Sequence, residues 1–223
     1  MEARLTDIDR GEAMAYLGWH GAAAPTAAEA DIDRCAARIM AAARPRIVWR
    51  LFALAPDGML IGAAFRPAGR DIQALLSGCS GAILMAATLG TEVDTLIRRE
   101  QVIDMAEAMM LDACGSAAIE NVCDNLYADL AAAVSPRYLT DRFSPGYGDL
   151  PLSQQAELSR ALDMPRRIGV TLSDSGLMIP QKTVTAIIGV SPEPVQRRRN
   201  GCDACTLART CAFRKDGKTC EES

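Results

Sequence analysis

The sequence predicts an α+β domain with a central, mainly antiparallel twisted sheet flanked by helices, followed by a small cysteine-rich metal-binding tail. Three observations support this prediction. Two strand-like segments flank the turn Pro56-Asp57-Gly58, as in a hairpin. Residues 91–134 lack proline and are rich in alanine, leucine and methionine, which favours helix. Half of the eight cysteines fall within residues 202–220.

The first part of the chain alternates helical and strand patterns. Residues 26–43 place apolar side chains on one face, which predicts an amphipathic helix that ends before Pro45. The β-branched and aromatic segment that follows is typical of a strand. The elements predicted here are, in order, a helix over 26–43, a hairpin of 47–54 with 58–65, a short helix near 71–76 and a buried strand over 81–89.

The segment from Thr91 to Val134 predicts one long helix or two successive helices, with Gly115 as the expected interruption and the acidic side facing water. After Ser135-Pro136 the pattern changes. Pro192 and Pro194 end the predicted domain, which spans 1–196, and residues 197–223 form the tail. The later elements are a strand over 137–143, a loop over 144–151, a helix over 153–162, and strands over 168–172, 176–179 and 183–190.

The composition excludes several classes of function. The net charge of −4 argues against broad nucleic-acid binding. No apolar run approaches the roughly 18 residues that a membrane-spanning helix needs, and the start MEARLTDIDR lacks the apolar core of a secretory signal. We therefore expect a cytoplasmic protein with neither a membrane nor a nucleic-acid partner. With His20 as the single histidine, a polyhistidine metal site is excluded.

The segment Arg142-Phe-Ser-Pro-Gly-Tyr-Gly-Asp149 is a candidate ligand-binding loop. An arginine at a strand end can hold a carboxylate through two parallel hydrogen bonds, and glycines let a ligand approach the backbone closely. Tyr147 adds a flat ring and a hydroxyl. The alternative is a tight turn beside an arginine that forms a surface ion pair, and the residues alone leave both open.

The order of several short motifs resembles the activation domain of vitamin B12-dependent methionine synthase, especially standalone members of that family. The similarity covers residues 10–192, and the joint order of the motifs is more specific than any one of them. The matching segments are Arg-x-x-x-Gly-Tyr at 142–147, YLGWHG at 16–21, AATLGTEVD at 86–94, SPGYGDLPL at 144–152, IGVTLSDSGLMIP at 168–180 and MIPQKTV at 178–184.

This resemblance implies that the chain binds S-adenosylmethionine (AdoMet) and supports the reductive methylation that reactivates oxidised cobalamin, as a component of methionine synthase or methyltransferase activity. It implies that Arg142 holds the AdoMet carboxylate, that the Ser144 backbone contacts the adenine end, and that Gly146 and Tyr147 line the same pocket. Glu120 would meet the ligand amine. Such a site positions two reactive groups and needs no histidine base.

The sequence departs from the family in one respect. A tyrosine that contacts AdoMet a few residues after Ser191-Pro192 is absent, because the chain there continues EPVQRRR. Two alternatives therefore stay open beside the AdoMet hypothesis. One is an electron-transfer or assembly partner that has kept the fold without AdoMet, and the other is a zinc-stapled interaction module.

The tail provides four thiolates with the spacing Cys202-x2-Cys205-x5-Cys211-x8-Cys220. Four soft ligands within 19 residues suit a four-iron four-sulfur cluster or a tetrahedral zinc site. Only the first pair has the Cys-x2-Cys form that zinc sites usually repeat, which favours the cluster. A cluster could also supply the electron that cobalamin reduction requires, whereas zinc has no redox chemistry.

The remaining expectations concern partners and single residues. The chain has no Asp-x-His-x-x-Gly element with which to ligate cobalt, so the corrinoid would arrive on a partner protein, and an electron donor would be needed as well. Lys182 would meet a carboxylate or a corrinoid side chain, or lie in solvent. Asp149 would contact a ligand or cap the Ser153 region. The remaining cysteines are expected to be buried small hydrophobes: Cys35, Cys79, Cys114 and Cys123.

Overall fold

The computed structural model describes residues 1–19 and 26–195. These ranges form seven α-helices, six strands and one 3₁₀ turn, Leu152–Gln154. The helices are α1 (Arg10–Tyr16), α2 (Thr26–Ala42), α3 (Arg70–Leu76), α4 (Thr91–Ile103), α5 (Met105–Val134), α6 (Gln155–Leu162) and α7 (Met164–Ile168). The strands are β1 (Arg46–Ala53), β2 (Gly81–Thr88), β3 (Tyr138–Leu139), β4 (Thr171–Leu172), β5 (Met178–Ile179) and β6 (Thr183–Ser191).

Four strands form an antiparallel sheet in the order β1-β2-β6-β3, and β4 pairs with β5 in a separate two-stranded ribbon. β2 lies inside the sheet and is buried at every residue. Its side chains alternate between two apolar clusters, with Ile83 and Met85 on one face and Ala82 and Leu84 on the other. Both faces are covered by helices, which is why β2 is a continuous apolar run. The predicted α+β class with an antiparallel sheet is confirmed.

The helix α5 forms the main cover on one face of the sheet. It packs with α2 and α4 around buried small side chains that include Cys35, Cys114 and Cys123. Arg38 links α2 to α4 and α5, because its guanidinium lies 2.6 Å from Glu100 of α4 and 2.6 Å from Glu107 of α5. On the opposite face, α3, α6 and α7 complete the second cluster. α5 is therefore the fixed platform beside which the candidate site forms.

Residues 91–134 form two helices, but the prediction that Gly115 interrupts them is wrong. The break falls at Asp104, which leaves the helical region at φ −145° and caps α5 by accepting hydrogen bonds from the Ala106 and Glu107 amides. Gly115 lies inside α5, where a β-carbon would stand 3.1 Å from Cε of Lys182. It is a packing position for that lysine.

Other element predictions also need correction. Residues 58–65 form only isolated bridges, Leu54 with Leu60 and Leu60 with Phe65, instead of the second strand of a hairpin. The positive φ angles at Gly58, Gly62 and Ala64 prevent an extended run there. Ile168 ends α7, so the strand predicted over 168–172 shortens to β4. The helix α1 was not predicted.

Among the described residues, no helix has both the length and the apolar character that crossing a membrane requires.

Candidate functional site

Arg142 stands between two backbone anchors that join its segment to β6. The Thr140 amide donates to the Gly189 carbonyl at 3.0 Å, and Phe143 exchanges two backbone hydrogen bonds with Ile187 at 3.0 and 2.8 Å. The Tyr127 hydroxyl of α5 also donates to the Thr140 carbonyl at 3.0 Å. This segment is therefore tied to both the sheet and α5, which fixes where the Arg142 side chain starts.

The Arg142 guanidinium forms ion pairs with two carboxylates of α5. Its Nη2 lies 2.8 Å from Oε2 of Glu120 and 2.9 Å from Oδ1 of Asp124. Those carboxylates are four residues apart and so share a face of the helix. The Arg142 side chain is only 24% exposed, whereas that of Asp124 is 70% exposed. A solvated carboxylate such as Asp124 is the partner that a ligand can replace at the lower cost.

Cys123 lies beside the same guanidinium. Burial raises the pKa of the Cys123 thiol to about 12, and the nearby Arg142 charge opposes that rise only in part. The Nη1 atom of Arg142 is buried and has no nitrogen or oxygen hydrogen-bond partner within the described ranges. The Cys123 sulfur, which interacts with this guanidinium, is only a weak acceptor. The guanidinium therefore keeps donor capacity that the carboxylates of α5 do not use.

The loop after Arg142 is compact. The Tyr147 amide donates to the Ser144 carbonyl at 3.0 Å, and Gly146 and Leu150 form a further backbone bond at 2.9 Å. Gly146 has φ +94°, a conformation that favours glycine. The result is a tight turn that leaves the Tyr147 side chain 67% exposed.

Asp149 fastens this loop to α3. Its carboxylate accepts hydrogen bonds from the Arg70 and Asp71 amides at 2.8 and 3.0 Å, and these bonds lower the pKa of Asp149 below its usual value. Of the two roles considered for Asp149, a ligand contact or a cap for the Ser153 region, the cap is instead made to α3. Asp149 thus holds the loop in place.

The helix α1 contributes two groups that the sequence analysis missed. The Tyr16 hydroxyl donates to Glu12 at 3.3 Å, and burial followed by the Glu12 charge raises the pKa of Tyr16 to about 12. Burial, then the charge of Glu120, also raises the pKa of Glu12. α1 therefore lies against the Arg142 site and adds negative charge to it.

A cleft of about 280 Å³ lies farther along α5. Two of its lining residues contact Lys182, whose ammonium is 2.8 Å from Asp112 and 2.9 Å from the Ser116 hydroxyl and whose side chain is 12% exposed. Of the two contacts considered for Lys182, the one with a carboxylate is therefore present, and it is internal to the chain. The lining residues are Tyr16, Leu17, Gln101, Met105, Ala108, Met109, Asp112, Ala113 and Ser116.

Some of the predicted ligand residues lie together at the Arg142 site, and others fall outside the described residues. Arg142 and Glu120 are in direct contact, and Ser144, Gly146 and Tyr147 belong to the turn that follows Arg142. Cys202, Cys205, Cys211 and Cys220 lie outside the described residues, as does His20. In residues 1–19 and 26–195, no group of three or more histidine, cysteine or acidic side chains is arranged to hold a metal ion.

These features define an α+β domain with a polar site between a long helix and a glycine-containing loop. No protein-family model matches the chain, and no curated protein matches it. Among solved structures, the MetH reactivation domain bound to AdoHcy matches with a TM-score of 0.59 and 16% sequence identity. The match covers 96% of this chain and 83% of that one. The chain has the fold of this reactivation domain, which confirms the fold that the sequence resemblance implies.

Proposed function

We propose that the chain binds AdoMet at the Arg142 site. The methyl group of AdoMet would then be transferred to a reduced corrinoid carried by a methionine synthase or another corrinoid methyltransferase. The contact between Arg142 and Glu120 carries this proposal. AdoMet has an α-amino acid end with one carboxylate and one ammonium group, and an adjacent cation and anion complement that pair of charges. The fold shared with an AdoHcy-bound reactivation domain supports the same ligand.

The residues of the site fit this ligand. Arg142 would hold the carboxylate in exchange for Asp124, and Glu120 would accept hydrogen bonds from the ammonium group. The exposed Tyr147 ring and the backbone at Ser144 and Gly146 would border the remainder of the molecule. The chain lacks the tyrosine expected after Ser191-Pro192, so these contacts would provide most of the affinity.

The reaction needs a bound methyl donor and an incoming nucleophile in line with it. A cob(II) corrinoid on the partner gains one electron, and the resulting cob(I) electron pair forms the Co–CH₃ bond while the S–CH₃ bond breaks and its pair stays on the sulfur of AdoHcy. No proton is transferred in this step. Positioning by Arg142, Glu120 and the fixed loop is therefore the contribution expected of the chain.

AdoMet binding tests this proposal directly. Isothermal titration of the full chain with AdoMet should show one site, and Arg142→Ala should weaken binding at least about tenfold, as expected on loss of a charge-assisted hydrogen bond. Arg160→Ala is the matched control, because the exposed Arg160 side chain contacts Glu157 and the Ala156 carbonyl of its own helix. No measurable AdoMet binding by the wild type would end the proposal.

We also propose that Cys202, Cys205, Cys211 and Cys220 hold an iron-sulfur cluster that supplies the electron. The donor set of four thiolates suits such a cluster, and one-electron chemistry is what the reduction needs. Anaerobic purification with absorption spectroscopy and metal analysis tests this. A brown protein with iron and sulfide supports the cluster, whereas a colourless protein with stoichiometric zinc would leave the zinc-stapled module as the role of the tail.

A further inference from the structure

Arg142 meets its two carboxylates through one and the same nitrogen atom. Nη2 donates to Oε2 of Glu120 at 2.8 Å and to Oδ1 of Asp124 at 2.9 Å. A terminal guanidinium nitrogen carries two hydrogens, so these two bonds engage both of them. The other terminal nitrogen, Nη1, is buried. A ligand carboxylate that pairs with Nη2 must therefore take the place of Glu120 or of Asp124.

The two carboxylates differ in how readily they can give way. The Glu120 side chain is 29% exposed, whereas that of Asp124 is 70% exposed. An exposed carboxylate that leaves an ion pair regains its water at once, while a half-buried one would be left short of hydrogen bonds. Asp124 is therefore the carboxylate that leaves, and Glu120 stays.

The balance of charge restricts which ligands can bring about this exchange. Two carboxylates face one guanidinium, so the site already holds one uncompensated negative charge. A ligand with only a carboxylate would add a second one when it released Asp124. The α-amino acid end of a ligand also brings an ammonium group, which pairs with Glu120 and offsets the added charge.

We propose that Asp124 is an internal competitor for the carboxylate of the ligand. It holds Arg142 in the free protein, lowers the affinity for the ligand and restricts the site to ligands that have an α-amino acid end. The exchange breaks one ion pair and forms another, with no change in covalent bonds. This inference deepens the proposed function and rests on it, because the ligand is AdoMet or its product AdoHcy.

Isothermal titration of the full chain with AdoHcy tests this competition. AdoHcy has the amino acid end without the sulfonium charge, so a weaker attraction for a cation does not mask the effect. Asp124→Asn should tighten AdoHcy binding roughly threefold to tenfold, the range for a partly exposed charge-assisted bond. Glu120→Gln should instead weaken it, so the two carboxylates on one nitrogen give changes of opposite sign.

Two controls separate competition from a general effect of charge or structure. Asp129→Asn removes a negative charge from the same helix at a carboxylate that pairs with Arg4, and its AdoHcy affinity should equal that of the wild type. Methylthioadenosine keeps the nucleoside and the thioether sulfur of AdoHcy but has no amino acid end. Asp124→Asn should not tighten the binding of this compound.

Unchanged or weaker AdoHcy binding by Asp124→Asn would overturn the competition, and weaker binding would indicate that Asp124 contacts the ammonium group of the ligand. A gain that extends equally to methylthioadenosine would also overturn it. If the wild type binds AdoMet and AdoHcy but Asp124→Asn binds no tighter, the proposed function stands and only the competition fails. Absence of binding by the wild type and by Asp124→Asn would overturn both.

Discussion

Lys182 crosses α5 directly over Gly115. The aliphatic stem of the lysine occupies the space that a side chain would need, and its ammonium reaches Asp112 and Ser116 on either side of the glycine. A helix interior normally disfavours glycine by about 1 kcal/mol relative to alanine. Here the absence of a side chain allows β6 to begin against α5.

Gly115→Leu should therefore destabilise the fold, although leucine favours helix. The larger side chain displaces Lys182 from Asp112, and overpacking of this kind costs about 1–3 kcal/mol. Urea unfolding followed by circular dichroism measures the change. Ala132→Leu on the exposed side of α5 should stay within about 0.5 kcal/mol of the wild type. In a Lys182→Ser background the cost of Gly115→Leu should fall, and an unchanged cost would contradict the proposed clash.

Asp149 should make stability depend on acidic pH. Its pKa is lowered in the folded state by the Arg70 and Asp71 amides, so the ionised carboxylate stabilises the fold above the unfolded value of about 3.9. That contribution is lost as the pH falls through the folded pKa. The stability difference between wild type and Asp149→Asn should be constant at neutral pH and shrink below about pH 4. A difference that persists at lower pH would argue against this role.

Cys123 should be inert in the folded protein. Its thiol is buried and its pKa is about 12, so the reactive thiolate is scarce near neutral pH. Iodoacetamide at about pH 8 should leave Cys123 unmodified by peptide mass spectrometry, and urea should make it fully reactive. Rapid native labelling would show that the layer beneath Arg142 opens readily.

The two carboxylates at the Arg142 site should favour AdoMet over AdoHcy if the proposed function holds. AdoMet carries one more positive charge than AdoHcy, and the two carboxylates that pair with Arg142, Glu120 and Asp124, together carry more charge than the one guanidinium offsets. A preference of about threefold to tenfold is expected for partly exposed charges at this range. Paired titrations at low and high salt measure it. An equal affinity for both ligands at low salt would show that these carboxylates do not interact with the sulfonium charge.

The sequence predicted the elements that have a clear apolar pattern, such as the continuous apolar run of β2 and the apolar face of α2. Two of the helix starts that it missed share one signature, an acidic cap three residues before a glutamate: Asp9 with Glu12, and Asp104 with Glu107. That spacing is typical of a capping box and could have located both. Gly115 predicts an interruption because a glycine in a helical pattern often marks one, whereas its packing role depends on Lys182, which is far away in sequence.

Only part of the site could be predicted from the sequence, again because some of its contacts join residues that are far apart in the chain. Arg142 and Tyr147 belong to one short motif, whereas Glu120 was reached only through the family resemblance. Its contact with Arg142 spans 22 residues and depends on how β3 turns back along α5. Glu12 and Tyr16 reach the site through tertiary packing of α1, which no local pattern encodes.

The bonds from Asp149 to α3 and from Phe143 to Ile187 have a thermodynamic consequence. Because both ends of the 142–150 loop are already fastened to the fold, a ligand does not have to order this segment when it binds. The entropy loss of closing a loop around a ligand was incurred during folding, and the site is preorganised. Its affinity should therefore depend on charge and shape more than on loop flexibility.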